Sequence, residues 1–582
     1  MLVADNVTTE LHRKISGNVP VGGQRLARAF ARHGVRVAFG QSIPSIFHLV
    51  APAHGIIQAV YRTENAGGAM ADAYARVSNR IALVTAQNGP AATLLVAPLA
   101  EALKASVPVV ALVQEVTPDI ADRNAFQELD HSALFSGVAK WIRRIDDVDR
   151  IDDYVDLAVT TATTGRPGPV VLLVPGHILS ATARSDSGRG SALGTFPLDR
   201  VAPDAENVHR AAKLIAGARR PLVIAGGGVH LSAAQAALAE LQDRHHLPVA
   251  TTLMGKGAVA EDHPLSLGVI GYFMGDGART EKLHEFVQAA DVIVLIGNRT
   301  NQNGTDSWRL YPREAACIHL DIDGQEIGRN YEALRLVGDA GAGIAALSGA
   351  LDRLDLADRI ESRAGFEAEI AAAVDHFRTR FAELSETGSA VRPESVMREL
   401  DRVLTPETTV VSDASYASIW TGNFLTARRP GMRFISPRGL AGLGWGLPMA
   451  IGAKIARPND PVVCVTGDGG FAHCWAELET AVRMELSIPV IVLNNQILGY
   501  QKDAEDMIFG AHTEACHFAP VDHAVIATGC GARGIRVTDP GDLPDALAEA
   551  LAHPGPTVMD VITDPHARPP LTFYRGRFRD AP

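Results

Sequence analysis

Asp468 stands in the run Gly467-Asp468-Gly469-Gly470, and Asn495 follows 27 residues later in the pair Asn494-Asn495. A carboxylate and a side-chain amide are hard oxygen donors of the kind Mg2+ prefers. Glycines beside the carboxylate let backbone N–H groups approach a diphosphate closely. The apolar run Pro461-Val-Val-Cys-Val-Thr466 reads as a buried parallel strand, which puts Asp468 at its C-terminal end, where a helix should start. A second run, Pro489-Val-Ile-Val-Leu493, ends in the Asn pair and delivers an amide oxygen to the same metal. A helix of about three turns over Cys474 to Glu485 is expected between the two strands. A lone Gly-Asp-Gly is usually an ordinary strand-to-helix turn; the second strand and the Asn pair turn the reading toward a metal–diphosphate site.

The whole pattern is similar to the metal–diphosphate signature of thiamine diphosphate enzymes. That cofactor carries its own base, and for it to act the protein must supply two things. A carboxylate hydrogen-bonds a pyrimidine nitrogen, and a bulky apolar residue forces a bent conformation. Glu64, in Tyr61-Arg-Thr-Glu64-Asn-Ala-Gly-Gly, is the candidate carboxylate, with small residues behind it that permit close helix packing. Its plain alternative is an exposed glutamate at a helix start. Leu443, in Arg438-Gly-Leu-Ala-Gly-Leu443-Gly-Trp, is the candidate bulky residue, and the backbone from Ala441 to Leu443 is placed to bond the pyrimidine. The plain alternative there is a core leucine behind a glycine-rich loop. Ala414, Ser415 and Tyr416, just after the strand Thr408-Thr-Val-Val411, offer amides and hydroxyls for the diphosphate.

These residues sit in a chain of 582 residues with a formal net charge of -12 and no basic run, which argues against nucleic acid as a partner. No apolar segment approaches a membrane span, and Met1 to Gly22 lacks the apolar core of a secretory signal. Cys317, Cys464, Cys474, Cys516 and Cys530 are scattered without CxxC spacing, so a reducing cytoplasm is expected. Apolar strands alternate with amphipathic helices in three blocks, predicting an α/β protein of three doubly wound parallel-sheet domains over residues 22–184, 204–351 and 392–564. The stretch Ser185 to Ser191 reads as a linker and the charged, helical Asp352 to Glu386 as a connector. The middle block offers Gly226-Gly-Gly228 after a strand, a weak nucleotide signal that more often marks a tight connection.

Over nearly its full length the chain resembles the acetolactate synthase branch of thiamine diphosphate enzymes. The likeness is carried by Arg62-Thr-Glu64-Asn, Phe126-Gln-Glu128, Pro167-Gly-Pro169, Met254-Gly-Lys-Gly257, Leu320-Asp-Ile-Asp323, Gly444-Trp-Gly-Leu-Pro448 and the Gly-Asp-Gly to Asn-Asn motif. The resemblance implies a Pyr domain first, a middle domain that holds FAD, ADP or nothing, and a PP domain last. It implies active sites formed between subunits, hence a homodimer or homotetramer. By position, Glu64 would activate the cofactor, Asp468, Asn495 and the backbone oxygen of Ile497 would bind Mg2+, and Gln127 would face the substrate. In the middle block, Arg299-Thr-Asn-Gln-Asn-Gly304 occupies the place of an arginine-led FAD loop, and Asp321 and Asp323 are placed to meet a ribose.

Four departures bear on the reaction. Pro175 is followed by Gly176-His177 where acetolactate-forming relatives have lysine, and Ala504-Glu505 stand where they carry tryptophan. Tyr416-Ala417 replace a Gln-His pair, and Gly40-Gln-Ser-Ile-Pro44 replaces a glycine-rich loop. The leading expectation is an acetolactate synthase-like enzyme acting on a 2-keto acid such as pyruvate. A 2-hydroxyacyl-CoA lyase or aldehyde carboligase is the alternative, with Glu505 or His177 assisting proton transfer. A non-catalytic regulatory paralogue is a third reading, opposed by Glu64, Asp468 and Asn495. His512 and His517 suggest a metal pair without a clear ligand set.

Overall fold

The structure, a computed structural model, describes residues 20–184, 188–386 and 390–575. Most of the Met1 to Gly22 segment and part of the Ser185 to Ser191 linker lie outside the described residues. Three six-stranded sheets, all parallel, account for the named strands. The first comprises β1 (Val37–Phe39), β2 (Ile57–Ala59), β3 (Ala82–Ala86), β4 (Val109–Glu115), β5 (Trp141–Arg144) and β6 (Val170–Pro175), in the order β2-β1-β3-β4-β6-β5. The second comprises β7 (Pro221–Ala225), β8 (Val249–Thr251), β9 (Ser266–Val269), β10 (Val292–Ile296), β11 (Ala316–Asp321) and β12 (Leu334–Val337), in the order β12-β11-β10-β7-β8-β9. The third comprises β13 (Thr409–Ser412), β14 (Phe434–Ile435), β15 (Val462–Gly467), β16 (Pro489–Asn494), β17 (Arg533–Val537) and β18 (Thr557–Ile562), in the order β14-β13-β15-β16-β18-β17.

Central strands such as β3, β10 and β16 are buried at every residue, as both faces of a helix-covered parallel sheet require. In the first sheet Leu83, Val110, Leu112, Val170 and Leu172 pack against Leu26, Phe30 and Val155 from the helices Gly22–Arg32 and Ile151–Thr163. The strand order reverses between β1 and β3 in the first sheet, between β7 and β10 in the second, and between β13 and β15 in the third. The crevice outside the carboxyl ends at such a reversal is where open parallel sheets bind ligands. In the third sheet that crevice is flanked by the segments that carry Asp413 to Tyr416 and Gly467 to Gly470.

The chain forms two compact units. One ends at Asp199 and also takes in Pro437–Pro458; the other comprises Arg200–Ser436 and the chain from Asn459 onward. The helix Gly446–Ala456 thus packs on the helix Glu64–Ser78 of the first sheet's domain. Their contact runs through Gly452, where a Cβ would lie 2.0 Å from the Met70 carbonyl oxygen.

One helix expectation is revised, and the helical connector is found as expected. In place of a three-turn helix over Cys474 to Glu485 there are two short ones, Asp468–Ala472 and Glu477–Arg483. Between them the chain tightens into four-residue turns, with Cys474 N–H donating to Phe471 O and Glu477 N–H to Cys474 O. The charged connector is a 30-residue helix, Ala357–Glu386, whose Phe366, Ile370, Ala373 and Phe377 fall on one stripe and are buried.

Candidate active site

Within the second unit, the ends of β15 and β16 bring together the metal-ligand candidates. Gly467 is paired with Leu493 across the two strands, so Asp468 and the Asn pair leave the sheet side by side. Asp468 is the first residue of its helix and is 6% exposed. Backbone N–H groups of Gly469, of Asp468 itself and of Gln496, the residue after Asn495, favour its charged form. Burial pushes its pKa up to about 6, those N–H groups oppose the rise, and the charge of Asp560 adds to it. Asn495 Oδ1 accepts from Ile497 N–H at 3.2 Å. The turn is held from its far side by Cys516 to Phe518: Leu498 N–H donates to Cys516 O, Phe518 N–H donates to Gln496 O, and Ile497 bridges His517. Behind it, Asn494 donates its amide to the fully buried Asp560 at 2.8 Å, while its own Oδ1 is buried without a partner.

The residues fit a metal-bound diphosphate. The donors are all oxygen, the carboxylate is buried, and there is open space within 4 Å of where a Cβ on Gly467 would stand. Gly469 and Gly470, by contrast, are packed: a Cβ on Gly470 would meet the Asp413 carboxylate at 2.1 Å. Asp413 was not singled out from sequence. It is buried, accepts from Ala414 N–H at 2.8 Å and from the Thr466 hydroxyl at 3.3 Å, and so ties the end of β13 to the end of β15. Its position directly after a buried strand was the available signal. Ser415 takes φ 62° and ψ -142°, an unfavourable backbone for serine, immediately before the helix Tyr416–Phe424. The Tyr416 hydroxyl donates to the buried Asp503, and its ring lies where any side chain at Gly499 would have to go.

Three further sequence candidates fall in this unit. Glu505 accepts from Gln501 at 2.8 Å and from Thr513 N–H at 2.7 Å, bonds that hold its pKa below the usual carboxylate range. Its oxygens are thus spent fastening the helix Gly499–Phe509 to the following turn. His512 and His517 face one another through their Nε2 atoms at 2.9 Å, and His512 Nδ1 meets Asp506 at 2.7 Å. Among the described residues no three His, Cys, Asp or Glu side chains are grouped to hold a metal. In the middle sheet, Gly226 and Gly228 N–H already donate to Ile296 O and Gly297 O, and their backbones pack on that of Gly297. The glycine run there is a close backbone crossing at the β7–β10 reversal, and Asp321 accepts the backbone N–H of Asp323.

The first unit carries the other candidates. Glu64 opens the helix Glu64–Ser78, is 8% exposed, and has no side-chain partner among the described residues. Thr63 caps that helix, accepting from Ala66 N–H at 3.3 Å. Gly67 and Gly68 lie against Tyr61 and Pro98, which shows why small residues follow the glutamate. Gln127 has φ 59° and accepts from the Gln87 amide at 2.6 Å, while the Asn88 amide donates to its carbonyl at 3.0 Å. Beside it, the buried His131 accepts from Gly89 N–H at 3.0 Å and reaches Glu115 at 3.3 Å. His131 was missed because nothing in its own segment links it to Gly89. His177 lies exposed on the short helix Gly176–Ser180. Leu443 is 36% exposed and so is not a core leucine. Ala441 at φ 62° and Gly444 at φ 87° give its loop the bends that present it.

Three family models match the chain. The thiamine pyrophosphate enzyme N-terminal binding domain covers residues 21–134, the central domain 208–347 and the C-terminal binding domain 413–561. A probable acetolactate synthase large subunit of Methanocaldococcus jannaschii is 30% identical over 568 residues, 96% of this chain and 94% of that protein. An acetolactate synthase of Arthrospira platensis is 30% identical over 93% of both chains. The acetolactate synthase isozyme 2 large subunit of Escherichia coli is 29% identical over 93% of this chain and 95% of that protein. With three parallel sheets in the places of three matched domains, the chain belongs to the thiamine diphosphate-dependent enzymes, as an acetolactate synthase-like member.

Proposed function

We propose that this enzyme uses Mg2+ with thiamine diphosphate to make or break a carbon–carbon bond next to a carbonyl, decarboxylating a 2-keto acid such as pyruvate and passing on the acyl unit. The observation that carries the reading is the buried Asp468 carboxylate at the end of β15, set beside the Asn494-Asn495 pair by the Gly467–Leu493 strand pairing. In this reading Asp468, Asn495 and the Ile497 carbonyl hold the metal. Ala414, Ser415 and Tyr416, with Gly467, Gly469 and Gly470, border the diphosphate. When bound, the cofactor supplies a carbon nucleophile and an electron sink.

The chain's own residues do the rest. Glu64, buried and unpaired, holds its carboxylate ready to share a proton with a ring nitrogen. Leu443 and the Ala441 backbone set the ring's orientation, and Gln127, fixed by Gln87 and Asn88, faces the substrate. Glu505, with both oxygens engaged, is given no proton-transfer role. The five cysteines are free thiols, which supports a cytoplasmic location. No helix among the described residues is long and apolar enough to cross a membrane. Relatives named large subunits belong to assemblies, and for this chain we propose a homodimer or homotetramer.

Product analysis by mass spectrometry tests this reading. With Mg2+ and thiamine diphosphate present, pyruvate is offered in one reaction and a short 2-hydroxyacyl-CoA in another. Acetolactate or acetoin from pyruvate is the expected outcome. Cleavage of the thioester with pyruvate untouched would replace the keto-acid reading with the lyase one. Inertness toward both, in protein that binds no cofactor, would point to the non-catalytic paralogue.

A further inference from the structure

The loop that presents Ala441 and Leu443 is tied to a charged cluster buried inside the first unit. Glu101, 1% exposed in the helix Val96–Ala105, places one carboxylate oxygen 2.7 Å from Gly439 N–H and the other 2.6 Å from Leu440 N–H. Arg76, 3% exposed, donates to Glu101 at 3.2 Å and pairs with the fully buried Asp72 at 2.6 Å. The cluster therefore has two carboxylates for one guanidinium. An uncompensated buried carboxylate is costly, and the two loop N–H groups are the dipoles that meet it. Burial pushes Asp72 up to about 6, the mark of a site with little solvent to share the charge.

The fit at the loop is tight. A Cβ on Gly439 would stand 2.6 Å from the Glu101 carbonyl oxygen, so the backbone is drawn hard against the helix there. At its other end the loop is held by Trp445, whose indole N–H donates to Asn65 at 3.2 Å, next to Glu64. A Cβ on Gly442 would strike the Trp445 ring at 2.7 Å, so that residue too must be glycine for the loop to close.

We propose that Glu101, held by Arg76, is a positioning residue for thiamine diphosphate: it fixes Gly439 and Leu440 so that the Ala441 backbone and the Leu443 side chain stand where the cofactor ring needs them. The inference rests on the cofactor reading above. Glu101 touches no reacting atom and acts only through the loop.

Titration calorimetry of thiamine diphosphate with Mg2+ present, on the unaltered protein and on Glu101→Gln, tests it. Glutamine keeps the shape but offers one acceptor where two N–H groups point, so the expected result is a dissociation constant raised about tenfold. A role confined to stability would lower the urea midpoint and leave that constant unchanged. A constant within about twofold of the unaltered protein would overturn the inference while leaving the cofactor reading intact. No binding by the unaltered protein would overturn both. If Glu101→Gln does not fold, Arg76→Lys serves instead: it keeps the charge and removes the guanidinium nitrogen that donates to Glu101, and a weakening in the same direction is expected. Unchanged affinity in that variant would equally overturn the inference.

Discussion

Glu64 and Asp468 are both buried carboxylates, yet they are prepared for different tasks. Glu64 has no side-chain partner among the described residues, whereas Asp468 stands at a helix start where nearby backbone N–H groups favour its charged form. Glu64→Gln should bind thiamine diphosphate within about threefold of the unaltered protein and turn over about a hundredfold or more slower, the usual scale for a lost proton-transfer group. Calorimetry beside steady-state rates separates the two effects, and unchanged turnover would remove the assigned role. For Asp468 the raised pKa means that a proton competes with the metal up to about pH 6. Mg2+ affinity should therefore hold above pH 7 and fall about tenfold per unit below 6, read by titration at pH 7.5, 6.0 and 5.0. A flat profile would show that the carboxylate is not the ligand.

At the scale of elements, the helix pair Glu64–Ser78 and Gly446–Ala456 depends on close backbone approach. Gly452→Ala gains about 1 kcal/mol of helix propensity, but its Cβ would be 2.0 Å from the Met70 carbonyl oxygen. Overpacking of that kind costs about 1–3 kcal/mol or more, so a net loss in the urea midpoint is expected. An unchanged or raised midpoint would show that the two helices can part freely. Such pairings decide what the sequence could reveal. The buried strands β15 and β16 are continuous apolar runs and were legible to within two residues at either end. The edge strands β2, β5 and β12 are short and partly exposed, with neither period nor apolar run to announce them. Asp468 and Asn495 were legible because their spacing follows one strand–helix–strand unit. Glu101 was not, because its partner Gly439 lies 338 residues away and nothing local marks the link. His131 was hidden for the same reason, its partner Gly89 lying 42 residues away.

For the molecule as a whole, acid is the predicted weakness. His48, His230 and His319 are buried, and burial is the largest cause that lowers them to about 4, about 3 and about 4. A histidine whose folded pKa is depressed contributes its full stability above its unfolded value near 6.5 and loses it as pH falls toward the folded value. For His48, paired with the Thr85 hydroxyl at 2.9 Å, the shift corresponds to about 3 kcal/mol. Urea midpoints should hold from pH 8 to 7 and fall steeply between 6 and 4.5. A midpoint level down to pH 4.5 would mean these rings are hydrated in solution.

The central claim is that Asp468 and the Asn495 turn hold the diphosphate of thiamine diphosphate through a divalent metal. Calorimetric titration of metal-stripped protein with thiamine diphosphate, with and without Mg2+, and again with Asp468→Ala, addresses it most directly. The account predicts saturable binding that requires Mg2+ and is lost in the variant. Binding that ignores Mg2+, or that survives in Asp468→Ala, would contradict it.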